Sequence, residues 1–72
     1  MQLKIELTSY LAKNRQSASF EFAGGTIAEA LVAFGLDFSE VGFVTLDGVL
    51  VQLDAQTFEG STYKIYPTIV AG

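Results

Sequence analysis

The chain predicts an α+β domain in which one helix packs on a mixed β-sheet. Three observations carry this. Residues 2–8 and 17–23 alternate apolar and polar side chains, as half-buried strands do. Ile27, Ala30, Leu31 and Phe34 recur at i, i+3, i+4 and i+7, on one face of a helix. Asp47-Gly48 sits between two β-rich runs, a strong hairpin signal.

In the first strand, Leu3, Ile5 and Leu7 face the core and Gln2, Lys4, Glu6 and Thr8 face away. Residues 9–16 carry Ser9, Asn14 and Gln16 among charges and read as a loop. In the second strand Ala18, Phe20 and Phe22 point inward, so the two strands form an antiparallel hairpin. Gly24-Gly25 ends it. Thr26 with Glu29 three residues on is a capping-box pattern that opens the helix. Gly35 stops the helix in a left-handed conformation, with Leu36 as the accompanying apolar contact. Residues 42–46 and 49–53 are the arms of the Asp-Gly hairpin. Residues 54–60 are irregular or form one helical turn. Residues 61–66 alternate again, with Tyr63 and Ile65 inward and Lys64 and Tyr66 outward. The expected core is Leu3, Ile5, Leu7, Phe20, Phe22, Ile27, Leu31, Phe34, Tyr63 and Ile65.

At 72 residues the chain holds one domain, and half of its residues are hydrophobic, including six Phe. A dense core is therefore available, and disorder is not expected. Cys and His are both absent. That excludes disulfides and thiolate ligands, and removes the usual general base near neutral pH. A net charge of −4 disfavours nucleic acid and anionic membrane surfaces and favours a basic protein partner. No signal-peptide pattern and no bilayer-length apolar run is visible, so a cytoplasmic location is expected.

The candidate chemical groups each have a structural role that fits better. Asp47-Gly48 is a turn, and Glu29 is a cap. Gly24-Gly25-Thr26 precedes a helix N-terminus but lacks the Gly-Lys-Ser/Thr pattern of a phosphate loop. Asp37 and Glu40 are too few carboxylates for a calcium site. The serines have no histidine to activate them. No metal site and no self-contained active site is expected.

The end of the chain, "YPTIVAG", is different. Proline cannot donate to a sheet ladder, so pairing should stop at Pro67. The residues after it are small or β-branched and uncharged. They form either a frayed terminus or an extended strip that fits a narrow channel. A terminal glycine presents its carboxylate with no side chain in the way. Phe43, Tyr66, Pro67 and Ile69 mark a partner-docking surface on the outer sheet face, with Val70 and Ala71 continuing along the tail.

The helix opening "TIAEAL", the "LDG" hairpin, the closing strand "FEGSTYKIYP" and the "VAG" end, in this order, resemble the MoaD/ThiS family of small ubiquitin-like sulfur carriers. The resemblance covers nearly the whole chain. It implies a β-grasp fold of order ββαβββ, with a domain over 1–66 and a flexible C-terminal tail over 67–72. It implies a carrier and not an enzyme. An adenylating, ubiquitin-activating-like enzyme uses ATP to activate the terminal glycine, sulfur replaces AMP, and the thiocarboxylate passes sulfide on to an acceptor. The carrier itself binds no cofactor. Gly72 matches the reactive glycine. Ala71 departs from the usual Gly-Gly end: either Ala71-Gly72 is a genuine terminus, or one more glycine follows Gly72. The segment "SYLAK" and the proline before the tail resemble the small subunit of molybdopterin synthase, which implies the synthase large subunit as acceptor, in molybdenum or tungsten cofactor synthesis. The alternatives are a thiamine-thiazole sulfur carrier, or a ubiquitin-like binding module or protein modifier without sulfur chemistry.

Overall fold

The computed structural model describes residues 1–68. Five strands form a single sheet: β1 (Gln2–Leu7), β2 (Ala18–Glu21), β3 (Val41–Leu46), β4 (Val49–Val51) and β5 (Thr62–Pro67). Their spatial order is β2-β1-β5-β3-β4. Strand β5 runs parallel to β1 and antiparallel to β3, and both hairpins are antiparallel, so the sheet is mixed as expected. Helix α1 (Leu11–Asn14) follows β1, and α2 (Ile27–Phe34) crosses the sheet.

The register explains the core. Ile65 lies opposite Leu7 on one side and Val44 on the other, and Tyr63 lies opposite Ile5 and Leu46. Directly opposed residues share a face, so these five side chains and Tyr63 form one apolar layer. The buried stripe of α2, Ile27, Ala30, Leu31 and Phe34, covers it at the predicted spacing. Leu31, Ile5, Ile65 and Tyr63 are fully buried.

Both ends of α2 form as their residues dictate. Thr26 and Glu29 exchange side-chain-to-backbone hydrogen bonds in a complete capping box. At the other end Gly35 takes φ +99°, and the N–H groups of Gly35 and Leu36 reach back to Val32 and Leu31. Leu36 is buried in the core, as the apolar contact of that motif. Arg15 donates to the carbonyls of Phe34 and Gly35 and lies over the Phe34 ring, so a cation sits at the negative end of the helix. The β3–β4 turn has positive φ at both Asp47 and Gly48, the conformation a two-residue hairpin requires.

Four expectations need correction. Residues 9–16 are not all loop: α1 forms there, and its Leu11 is buried in the core. A four-residue helix is too short to show a period. Ala18 is exposed and Phe20 is half-buried, because β2 is an edge strand. Phe38–Glu40 forms a 3-10 turn that sequence patterning did not reveal. The arm expected over 49–53 pairs only to Val51. Beyond it, the carbonyls of Leu53 and Ala55 accept from the N–H groups of Ala28 and Ile27, so this segment turns away to close the start of α2.

Candidate functional site

Strand β5 positions everything that follows. It is the centre of the sheet, held by β1 on one side and β3 on the other. Ile65 and Tyr63 are sunk beneath α2, which fixes the strand's rotation and turns Tyr66 and Lys64 to the outer face. Tyr66 lies opposite Phe43 of β3, and their rings stack at a centroid distance of 4.5 Å and an interplanar angle of 12°. Phe43 is 44% exposed, unusual for a large aromatic residue in a sheet. Lys64 reaches over the Tyr66 ring at 6.0 Å. Glu6 and Thr45 lie opposite Lys64 on its two flanking strands. The outer face thus carries an aromatic stack at the end of β5 and a row of Glu6, Lys64 and Thr45 beside it.

The structure brings Phe43 and Tyr66 together but separates Pro67 from them. Pro67 pairs with Val41, and the alternation of the strand places it on the opposite side from Tyr66. Ile69, Val70, Ala71 and Gly72 lie outside the described residues.

The ladder stops at Pro67, as its missing N–H predicts, but Pro67 itself still pairs with Val41. Pro67 is the last residue of β5. The register shifts between Val41 and Phe43, and Gly42 stands at that irregularity. A Cβ on Gly42 would lie 2.5 Å from the Pro67 carbonyl oxygen. A bulge and a glycine are what admit proline to a ladder. Beyond it, Thr68 makes three hydrogen bonds. Its N–H donates to the Glu40 carbonyl at 3.0 Å, its Oγ1 donates to the Ser39 carbonyl at 3.2 Å, and its own carbonyl accepts from the Tyr10 hydroxyl at 3.1 Å. Sequence reasoning missed Gly42, Tyr10 and Thr68. A glycine within "GFVTL" was the available signal for Gly42, since glycine inside a strand marks a bulge or a close approach. Nothing in the sequence pairs Tyr10 with Thr68.

The N-terminus of α2 and the carboxylates of Glu29 and Asp37 are committed to structure. All four N–H groups at the start of α2 are satisfied internally. Thr26 donates to Glu29 Oε1, Ile27 to Ala55, Ala28 to Leu53 and Glu29 to Thr26 Oγ1. No donor is left over to hold a phosphate there. The hydrogen bond from the Thr26 backbone, then that from its side chain, holds the Glu29 carboxyl below its ordinary value. Asp37 accepts from the Ser39 backbone, which lowers its value likewise. Both carboxylates are solvated caps. Among the described residues, no group of three or more acidic residues is placed to hold a metal ion. No helix among them is long and apolar enough to cross a membrane.

One solved structure shares this architecture over its full length. The crystal structure of SAMP1 from Haloferax volcanii matches with a TM-score of 0.76 and 17% identity, covering 100% of both chains. At that identity the likeness carries the fold alone, and the fold is the ubiquitin-like β-grasp. No protein-family profile matches the sequence, and no curated protein matches it.

Proposed function

We propose that this chain is a sulfur carrier whose terminal glycine is the reacting group. One observation carries the proposal. The central strand of a β-grasp domain ends at Pro67, next to an aromatic pair whose Phe43 is exposed, while Glu29, Asp37 and the N-terminus of α2 are occupied by structural bonds. This arrangement supports a reading in which the chemistry lies in the residues that follow β5 and a partner grips Phe43 and Tyr66. The body supplies recognition, since a partly exposed aromatic pair is a good interface anchor.

The chemistry follows from the glycine carboxylate. It attacks the α-phosphorus of ATP in an adenylating enzyme, and pyrophosphate leaves. A sulfide-level nucleophile then adds to the acyl carbon, and AMP leaves. The acyl carbon keeps one oxygen and gains one sulfur. A synthase large subunit then takes the sulfur from the thiocarboxylate. The segment "SYLAK" and the proline before the tail favour molybdopterin or tungsten cofactor synthesis as the destination.

The test is ATP-pyrophosphate exchange with a ubiquitin-activating-type enzyme from the same host. It is run on the chain ending at Gly72 and on the chain with one further glycine. Adenylation of either form supports the proposal and identifies the working end. After a sulfur donor is added, the intact mass should rise by the difference between one sulfur and one oxygen. If neither form is adenylated, the carrier reading fails. If the chain appears instead in amide linkage to lysines of other proteins, it is a modifier.

A further inference from the structure

We infer that the groove beside α2 is a second docking surface, which takes a basic amphipathic helix of a partner protein. The inference stands apart from the carrier reading above, since it uses neither the terminal glycine nor the stack of Phe43 and Tyr66. Helix α2 reads IAEALVAF, and Glu29 is its one polar side chain. The buried stripe accounts for Ile27, Ala30, Leu31 and Phe34. The face left over is Ala28, Val32 and Ala33, and Val32 is 58% exposed. A surface helix ordinarily carries polar residues there, and a helix that is apolar all round is ordinarily covered. Phe38 of the 3-10 turn lines the same groove and is itself 45% exposed. Phe22 and Gly24 complete the lining, and the groove has a volume of about 480 Å³.

Charge and shape choose the occupant. Glu29 is the one charged side chain in the lining. Its Oε1 accepts both Thr26 bonds, and among the described residues its Oε2 has no donor. No lysine or arginine among the described residues lines the groove. Lys4 and Lys64 lie on the outer face of the sheet, and Arg15 is occupied by the carbonyls of Phe34 and Gly35. A partner that lays apolar side chains in the groove and sets a Lys or Arg against Glu29 meets both features. A second copy of the chain does not. A twofold contact through this patch would bring two Glu29 carboxylates together, between chains of net charge −4 each. Gly24, Ala28 and Ala33 are small, so a helix can approach α2 at the short end of the usual interaxial distance of about 8–10 Å. The stack of Phe43 and Tyr66 lies on the opposite face of the sheet from α2, so both surfaces can be held at once.

The probe is a synthetic amphipathic peptide with leucines at helical spacing and lysines beside them. It is titrated into the isotopically labelled full chain, and binding is followed at the backbone amide signals. A second peptide carries glutamates in place of the lysines. The lysine peptide should shift Ala28, Val32, Ala33 and Phe38 saturably and leave Phe43 and Tyr66 in place. It should bind at least tenfold more tightly than the glutamate peptide. Val32→Lys, at an exposed site, should lower the affinity at least tenfold while the unfolding midpoint stays with the parent's. Glu29→Gln, which keeps a capping side chain, should lower it at least threefold. An absence of saturable binding at millimolar peptide overturns the inference, and so do shifts centred on Phe43 and Tyr66. A Val32→Lys protein that binds the peptide as the parent does overturns it equally. Shifts at Ala28 and Val32 that grow with protein concentration alone make a second copy the occupant. Shifts there on removal of residues 69–72 make the chain's own end the occupant. Either result refutes the partner helix. The readout is binding at the groove, so it stands or falls whether or not Gly72 is adenylated.

Discussion

Gly42→Ala tests the joint between β3 and the end of β5. The added Cβ would lie 2.5 Å from the Pro67 carbonyl oxygen and 2.9 Å from its carbon, where ordinary contact begins at 3.4 Å. Both neighbours are backbone, so no side chain can swing aside. The strands must part by roughly 0.9 Å at this point. An opening of that size stretches the Thr68 N–H bond to Glu40, now 3.0 Å, beyond hydrogen-bond range. Overpacking of this kind costs about 1–3 kcal/mol. Replacing glycine by alanine recovers about 0.4–1 kcal/mol through the stiffer unfolded chain. The expected net loss is about 1–2 kcal/mol, against a total of about 4–11 kcal/mol for a domain of this size. The assay is urea unfolding followed by circular dichroism, with hydrogen exchange at residue 68 as the local readout. Gly48→Ala is the comparison, since it meets no atom within 4 Å and loses only through its positive φ. A Gly42→Ala protein as stable as the parent, with residue 68 still protected, would refute the close approach.

Leu31→Ala should cost about 2–5 kcal/mol through lost burial and a cavity, whereas Val32→Ala, at a residue 58% exposed, should fall within about 0.5 kcal/mol of the parent. Equal losses would place the wrong face of α2 on the sheet. The Tyr63 hydroxyl is buried with no hydrogen-bond partner among the described residues, so Tyr63→Phe should be neutral or raise stability by about 1 kcal/mol in thermal unfolding. Glu29 has a lowered folded value, so its contribution is present above the ordinary carboxylate value of 4.5 and is lost as pH falls through the depressed one. Glu29→Gln should therefore flatten the decline of the unfolding midpoint between about pH 5 and pH 3 relative to the parent. Tyr66→Ala should weaken binding to the activating enzyme at least tenfold, read by titration calorimetry, because it removes half of the stack with Phe43. Undiminished affinity would move the docking surface elsewhere.

What was legible in the sequence is what depends on local periodicity and on turn chemistry. Thr26 with Glu29, Gly35 with Leu36, and Asp47-Gly48 each state a backbone conformation within a few residues, and each forms as stated. The alternation of 61–66 was also legible, and with it the outward Tyr66. What was hidden depends on contacts between distant residues. Leu11 is a core residue because α1 turns it into the core cluster, and four residues cannot display a helical period. Ala18 follows the alternation yet is exposed, because burial depends on what lies over an edge strand. Val44 was not singled out although it is fully buried, since its place opposite Ile65 is a matter of register. The ladder ends at Pro67 as read, and that Pro67 itself still pairs was hidden for a related reason: the bulge that admits it belongs to another strand. The hydrogen bond from Tyr10 to Thr68 joins residues 58 positions apart through a phenol and a carbonyl, a pairing for which sequence has no grammar.

Strand β5 is central in space yet comes last of the five along the chain. The β1–β2 and β3–β4 hairpins can each begin from nearby residues, but no ladder joins one hairpin to the other. Only β5 bridges them, so a chain emerging from the ribosome carries two half-sheets and four open edges until residues 62–67 arrive. The closing event is a non-local insertion, the slow kind of step in folding. Tyr66 rides on the inserting strand, so its stack with Phe43 cannot exist beforehand. Any partner that grips this stack thereby inspects the finished molecule, and an unfinished copy is passed over without a separate checkpoint.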